Sequence, residues 1–191
     1  MSSAPSPLPP SRSRFSRAGG FTLIESLVVL ALLGIVAAWA LPSFDSFLQR
    51  RRIEGLSSQL LNDLQGLKVL AIGRGDSLRL SLPAATTSAP GGGYLIHTGA
   101  ASACTCQGEL PVCSAGARLL RGVCLGNPAG GLQVRANVSA LLVDPRQSTF
   151  SPTGSIEVQS PLGGSLRHVI NIMGRVRVCA ARGRFAGVPA C

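Results

Sequence analysis

From Phe21 to Leu41 the chain is predominantly apolar and carries only one charge, Glu25. At about 1.5 Å per residue in a helix, such a run is long enough to cross a bilayer. Ahead of it, residues 1–20 are rich in Ser and Pro and carry Arg12, Arg14 and Arg17 with no acid. A secretory signal is cut after its apolar region, at small residues. Here the run ends in Trp39-Ala40-Leu41-Pro42 and passes straight into a charged amphipathic segment. The expected cut therefore precedes the run, after Gly20, and removes residues 1–20 as a leader.

Glu25 needs a physical account, because a carboxylate at helix depth costs about 3 kcal/mol on insertion scales and more when unpaired. Cleavage would free the amino group of Phe21, a cation at the same depth. Glu25 of one subunit can then pair with Phe21 of a neighbour, which turns an isolated cost into an assembly signal. The competing reading is that Glu25 snorkels to the headgroups from the first turn.

Beyond the apolar run, Ile53, Leu56, Leu60, Leu64, Leu67 and Ala71 recur at three- and four-residue spacing, which predicts that the helix continues over 42–72 with one apolar face. Pro42 lacks an amide hydrogen and crowds the carbonyl of Ala38, so a bend is expected there. Gly73 and Gly75 should end the helix. From residue 73 to 191 the pattern changes to short alternating segments broken by turn residues, which predicts one β-rich domain. Strands are expected over 77–82, 93–98, 118–125, 132–138, 155–160, 166–172 and 175–180, with loops over 83–93 and 102–116. Alternation of Leu132, Val134, Ala136 and Val138 with Gln133, Arg135 and Asn137 describes a strand buried on one face, and so argues for antiparallel sheets.

A basic leader, Gly20, Phe21 and Glu25, with Pro42 further on, resembles a type IV prepilin, whose signature is a Gly, a methylated Phe and a Glu five residues into the processed chain. Three further segments are similar to the GspH/FimT family of minor pseudopilins. They are Ala71-Ile72-Gly73-Arg74-Gly75, Phe150-Ser151-Pro152-Thr153-Gly154 and Gly174-Arg175-Val176-Arg177. Ser26 in place of the usual Leu, a missing acid before the first segment and a Cys-rich loop depart from that pattern. The resemblance implies an α+β protein: a long kinked N-terminal helix, transmembrane over 21–41 and amphipathic over 42–72, docked on an antiparallel β-sandwich-like domain over 73–191. It also implies a single-pass inner-membrane protein with a periplasmic C-terminal domain, later incorporated in a type II secretion pseudopilus or type IV pilus. Arginines flank the apolar run on both sides, so charge alone leaves that orientation open. The implied partners are a prepilin peptidase/methyltransferase, other pilins or pseudopilins, an inner-membrane assembly platform and the membrane itself.

Cys104, Cys106, Cys113, Cys124, Cys179 and Cys191 all follow the apolar run, which fits an oxidising compartment after export. Six cysteines allow fifteen pairings. Cys179 with Cys191 ranks first, and the spacing of the others lacks the Cys-x-x-Cys of a zinc ribbon. No metal or cofactor is expected. Neither His97 nor His168 lies in a catalytic motif, no phosphate loop or Gly-x-Ser-x-Gly occurs, and the chain does not read as an enzyme.

The chain carries 18 basic and 8 acidic residues. Without the leader's three arginines the balance is 15 against 8, or +7. Arg167, Arg175, Arg177, Arg182 and Arg184 fall in the last 25 residues, where no acid occurs. Two arginines alternating along a strand would project about 6.6 Å apart and could hold successive phosphates. Such contacts give salt-sensitive, sequence-independent binding. In the resembling family the FimT branch is linked to DNA uptake through its Gly-Arg-x-Arg region, so Arg175, Arg177, Arg182 and Arg184 are candidate contacts to duplex DNA. Arginines alternating with valines also describe any half-exposed strand, and two functions stay open: a structural minor subunit and a DNA-binding one.

Overall fold

A computed structural model of the chain describes residues 22–87, 89–126 and 131–191. It divides into two compact units, Met1–Ala40 and Leu41–Cys191, and helix α1 (Leu23–Arg74) contributes to both. The helix opens on Thr22, whose Oγ1 accepts the Glu25 main-chain N–H at 3.3 Å. Thr-x-x-Glu is the sequence of a capping box, and an acid in the first turn complements the positive end of the helix dipole. Apolar side chains from Leu23 to Val36 are exposed. Among the described residues no helix is long and apolar enough to cross a membrane. The side chains of residues 39–43 lie outside the described residues, and with them the expected bend at Pro42.

At its other end the helix runs to Arg74, two residues past the expected stop. Gly73 stays helical; the turn-off is Gly75, at φ 69°, where the missing Cβ makes the left-handed conformation accessible.

Eleven strands are formed among the described residues: β1 (Leu78–Ser81), β2 (Gly93–His97), β3 (Cys104–Gln107), β4 (Leu110–Cys113), β5 (Leu119–Cys124), β6 (Gln133–Ala136), β7 (Ala140–Asp144), β8 (Thr149–Ser151), β9 (Gly154–Ser160), β10 (Gly164–Ile170) and β11 (Val176–Arg182). One sheet has the order β5-β2-β1-β7-β8, a second β11-β10-β9-β6, and β3-β4 is a separate hairpin. Every ladder is antiparallel, as the alternation predicts. Two expectations need correction. The 102–116 stretch is not a loop but holds the β3-β4 hairpin, and β7 and β8 appear where no strand is expected.

The predicted helix stripe is the heart of the second unit. Ile53, Leu60, Leu67 and Ala71 are fully buried, and Leu56 and Leu64 nearly so. They share one cluster with Leu78 and Leu80 of β1, Tyr94 and Ile96 of β2, Leu141 and Val143 of β7, Phe150, and Ile156 and Val158 of β9. A second, smaller cluster of Ala89, Leu95, Cys104 and Cys106 covers the opposite face of the first sheet. β2 is therefore buried at every position, because alternate side chains enter two different clusters.

Two buried polar sites tie the helix to the sheets. Asp63, 3% exposed, accepts the Tyr94 hydroxyl at 2.8 Å and the Arg121 guanidinium at 2.6 Å. Burial and the Asp63 carboxylate push the Tyr94 hydroxyl far above its ordinary range, so it stays a donor. Ser57 and His168 meet at 2.9 Å, with His168 Nδ1 buried and unpartnered. Burial lowers the His168 pKa against two opposing backbone hydrogen bonds. The folded state thus binds fewer protons than the unfolded chain below the ordinary histidine value of about 6.5. Stability should be full above about pH 6.5 and fall as the pH drops toward the depressed folded value. Urea titrations between pH 7.5 and 5 will show this loss, and His168→Phe should flatten it; an unchanged slope in the variant would remove His168 as the cause.

Candidate assembly and nucleic-acid surfaces

Gly20 and Phe21, the expected processing residues, lie outside the described residues. Glu25 is described: it is exposed, in the third position of the helix, with its main-chain N–H capped by Thr22. The capping role of Thr22 was legible as Thr-x-x-Glu but masked by the apolar residues between.

The Phe-x-Pro-x-Gly and Gly-Arg-x-Arg segments, far apart in sequence, meet in the second unit. Phe150 is buried, and its N–H donates to the carbonyl of Ile172 at 2.8 Å. Gly174, at φ 75°, sits directly over its ring; a Cβ there would lie 2.5 Å from Phe150 Cε2. Gly174 is thus required twice, for its backbone angle and for the ring beneath it. Lys68 of α1 donates Nζ–H to the carbonyl of Met173 at 3.0 Å and secures the same turn. Asn171 closes it by accepting the Arg175 N–H at 2.8 Å through Oδ1.

Arg175 lies in that turn, one residue before β11, whereas a strand beginning at Arg175 was expected. The ladder nevertheless extends to it, because Asn171 N–H donates to the Arg175 carbonyl at 3.1 Å. Arg175 and Arg177 therefore keep the two-residue spacing, and both are exposed with no acidic partner among the described residues. Val176 and Val178, which alternate with them, are half-buried and pack on the core.

Arg182 and Arg184 do not join them. β11 carries Arg182 about 17 Å along the strand from Arg177, and its Nη2–H donates to the Ser160 carbonyl at 2.9 Å. Ser160 and Leu162 are in turn bonded to Gln49 of α1. The first pair of arginines is thus beside Lys68 and the second beside residues 49–50, about 27 Å apart along the helix. Arg167 is also removed from the set of free cations: it binds Glu157 of β9 at 3.0 Å, an acid that lies outside the last 25 residues and so escapes a sequence tally. Burial alone would raise the Glu157 pKa, but hydrogen bonds from Ser165 and Arg167 and the charges of Arg167 and Arg182 bring it below the ordinary value.

All six cysteines are paired, as Cys104–Cys113, Cys106–Cys124 and Cys179–Cys191. The first closes the β3-β4 hairpin on itself and the second rivets it to β5. The third ties down the C-terminal segment, which lies along β11: Ala180 N–H donates to the Pro189 carbonyl at 2.8 Å, and Cys191 N–H to the Ala180 carbonyl at 3.1 Å. An exposed sheet edge is thereby covered, and Phe185 of the same segment enters the core.

Among the described residues no cluster of three or more His, Cys, Asp or Glu converges to hold a metal ion. His97 and His168 are both fully buried. His97 Nδ1 meets the Thr98 carbonyl at 2.9 Å and His168 Nδ1 has no partner, so a carboxylate backs neither ring.

The methylation signature is recognised independently: residues 15–41 match the prokaryotic N-terminal methylation motif. The chain is type IV prepilin-like. It is 34% identical over 61 residues to the type IV major fimbrial protein FimA of Dichelobacter nodosus (strain VCS1703A), which covers 28% of this chain and 38% of that protein. It is likewise 34% identical over 62 residues to a fimbrial protein of Moraxella nonliquefaciens, across 29% of this chain and 40% of the relative. The chain thus spans about two fifths of the length of these curated relatives. No solved structure matches.

Cys179 and Cys191 are twelve residues apart, a loop for which cross-linking restricts the unfolded chain by about 3 kcal/mol. Replacing both by Ala should therefore lower unfolding free energy by about 2–3 kcal/mol, measured by chemical denaturation without reductant, and should raise hydrogen exchange at Ala180. Unaltered stability would mean that the main-chain bonds of the segment suffice without the link.

Proposed function

We propose that this chain is a minor pilin or pseudopilin of the GspH/FimT type, cut after Gly20, methylated at Phe21 and held in the inner membrane by residues 21–41 with residues 42–191 in the periplasm. The observation that carries this reading is the methylation motif over residues 15–41 with Glu25 inside it. The helix stripe docked on two antiparallel sheets supports it, since a filament subunit needs one element that both anchors and carries its globular part. Assembly with other pilins follows, drawn from the membrane by an assembly platform, with Glu25 meeting the freed amino group of a neighbouring Phe21.

Glu25→Gln keeps the shape and removes the charge. Loss of one partner from an enclosed ion pair costs about 3 kcal/mol or more, so recovery of the variant in sheared filaments should fall on the order of a hundredfold while its level in membranes stays unchanged. Undiminished incorporation would favour the snorkelling role.

A second function, DNA capture, is favoured by one observation: Arg175 and Arg177 are exposed, unpaired and fixed on a turn clamped by Phe150 and Lys68. Arg182 and Arg184 are too distant to act with them on the same few phosphates. Duplex DNA titrated against residues 41–191 with disulfides intact should bind more weakly as salt rises. Arg175→Ala with Arg177→Ala should reduce the slope of log K against log salt by about 2, whereas Arg182→Ala with Arg184→Ala should leave it nearly unchanged. Absence of binding at low salt would leave the structural role alone.

A further inference from the structure

Apart from Arg175 and Arg177, the second unit has another concentration of unneutralised charge, around helix residues 44–52. We propose that this collar of arginines is a docking surface for anionic lipid headgroups, which seats the globular unit on the bilayer before assembly. The proposal rests on the reading that residues 21–41 are a membrane anchor, and it goes beyond that reading by assigning a lipid contact to the globular unit itself.

Arg50, Arg51 and Arg52 are successive helix residues and all exposed. At about 100° per residue they point in three directions around the axis. The buried stripe through Ile53 faces the sheets, and on that side Arg182 and Arg184 complete the ring. Three contacts fix their position: Arg182 holds the Ser160 carbonyl, Ser160 and Leu162 bond Gln49, and the Arg50 guanidinium lies 5.8 Å from the centroid of Phe185, next in sequence to Arg184. Near Arg182 the acid Glu157 is taken up by Arg167, and two acids lie on the helix side of the collar. Glu54 is consumed by Arg51 at 2.9 Å, and Asp45 is exposed. Five arginines against two acids leave +3.

Apolar side chains occupy the same level. Phe44 and Phe47 are 56% and 49% exposed, and Leu162, in the β9-β10 turn, is 64% exposed. Phe47 also lies under Arg51, with the guanidinium carbon 5.2 Å from its ring centroid. The two phenylalanines point away from the sheets, while Leu162 is on the sheet side. Exposed aromatic and aliphatic groups between an apolar run and a ring of cations are what the interfacial layer of a bilayer accepts.

Encirclement selects the occupant. A neighbouring protein subunit covers one side of a helix, and a nucleic acid strand would meet one edge. A plane of headgroups meets every side of a helix that rises through it. The collar begins three residues after Leu41, the last residue of the apolar run, so Phe44 falls about 4.5 Å and Arg51 about 15 Å further along the helix. With their side-chain length, the arginines lie within about one Debye length of an anionic surface.

Residues 41–191 form a compact unit whose buried apolar core starts at Ile53, so the collar can be tested without the apolar run, and the result does not depend on whether residues 21–41 span. The experiment is flotation of this fragment, disulfides intact, with vesicles of phosphatidylcholine alone and with 30% phosphatidylglycerol, about 30% being enough to give a negative surface potential. Binding is expected only to the anionic vesicles and to weaken with salt. Arg182→Gln with Arg184→Gln, and separately Arg50→Gln with Arg52→Gln, should each weaken it about thirtyfold, while Arg175→Ala with Arg177→Ala should change it less than about threefold. Equal losses in all three variants would assign the effect to bulk charge and overturn the proposal, as would binding to neither vesicle. A collar that instead binds a neighbouring subunit would appear as no vesicle binding with loss of filament incorporation in the collar variants, and also overturns it. Fractionation of the full chain with and without residues 21–41 tests the anchor reading separately.

Discussion

The second unit depends on one contact: the apolar stripe of α1 packed on both sheets, which meet each other directly at their edges, where Phe150 N–H donates to the Ile172 carbonyl and Val134 N–H to the Gly91 carbonyl. Each fully buried Leu or Ile contributes about 1.5–3 kcal/mol, so Ile53, Leu60, Leu64 and Leu67 together supply on the order of the whole net stability of a domain this size. The sheets alone would expose Leu80, Ile96, Val143 and Ile156 to water. That is why a helix that begins in an exposed apolar run is also an internal element of the globular unit, and why the unit boundary at Leu41 falls before the stripe and not after it.

Apolar packing fixes that the helix docks but is indifferent to small slides along it. The polar sites supply the register. Asp63 must meet both Tyr94 and Arg121, and Ser57 must meet His168; a shift of one turn would strand a buried carboxylate, at a cost of several kcal/mol. Gln49 bonded to Ser160 and Leu162 and Lys68 bonded to Met173 fix the two ends. Any force transmitted through α1 is thus delivered to β10 at both of its turns.

Legibility in the sequence followed the strength of each local pattern. The helix stripe was readable because six positions obey one period, and the strands around Leu80, Ile96, Val158 and Leu166 because they alternate between breakers. β7 was missed because Ala140-Leu141-Leu142-Val143 is a continuous apolar run in a strand flanked on both sides, where alternation fades. The β3-β4 hairpin was missed because Gly108, Pro111 and three cysteines look like a loop until the disulfides supply what its small core cannot. For the surfaces, residue types were legible and their grouping was not. Four arginines within ten residues read as one cluster, yet an extended strand moves the chain about 3.3 Å per residue and places Arg177 and Arg182 at opposite ends of the second sheet.

That separation has an electrostatic consequence. Arg177 and Arg182, the facing members of the two patches, lie about 17 Å apart along β11, beyond the Debye length of about 8–10 Å at physiological ionic strength, so direct charge coupling between the patches is largely screened. A single cluster would force lipid and nucleic acid to compete for the same guanidiniums, and binding one would displace the other. Two clusters on one rigid lever are free of that coupling: under the proposed lipid contact the arginines near residue 50 would be neutralised by headgroups, while those at the Gly174 turn would stay exposed at the other end of the same helix stripe. Rigidity is what makes the arrangement useful, because Phe150 beneath Gly174 and Phe185 beneath Arg50 hold both patches on the same core. The C-terminal arginines are thereby divided by geometry between two surfaces, although in sequence they are nearly one cluster.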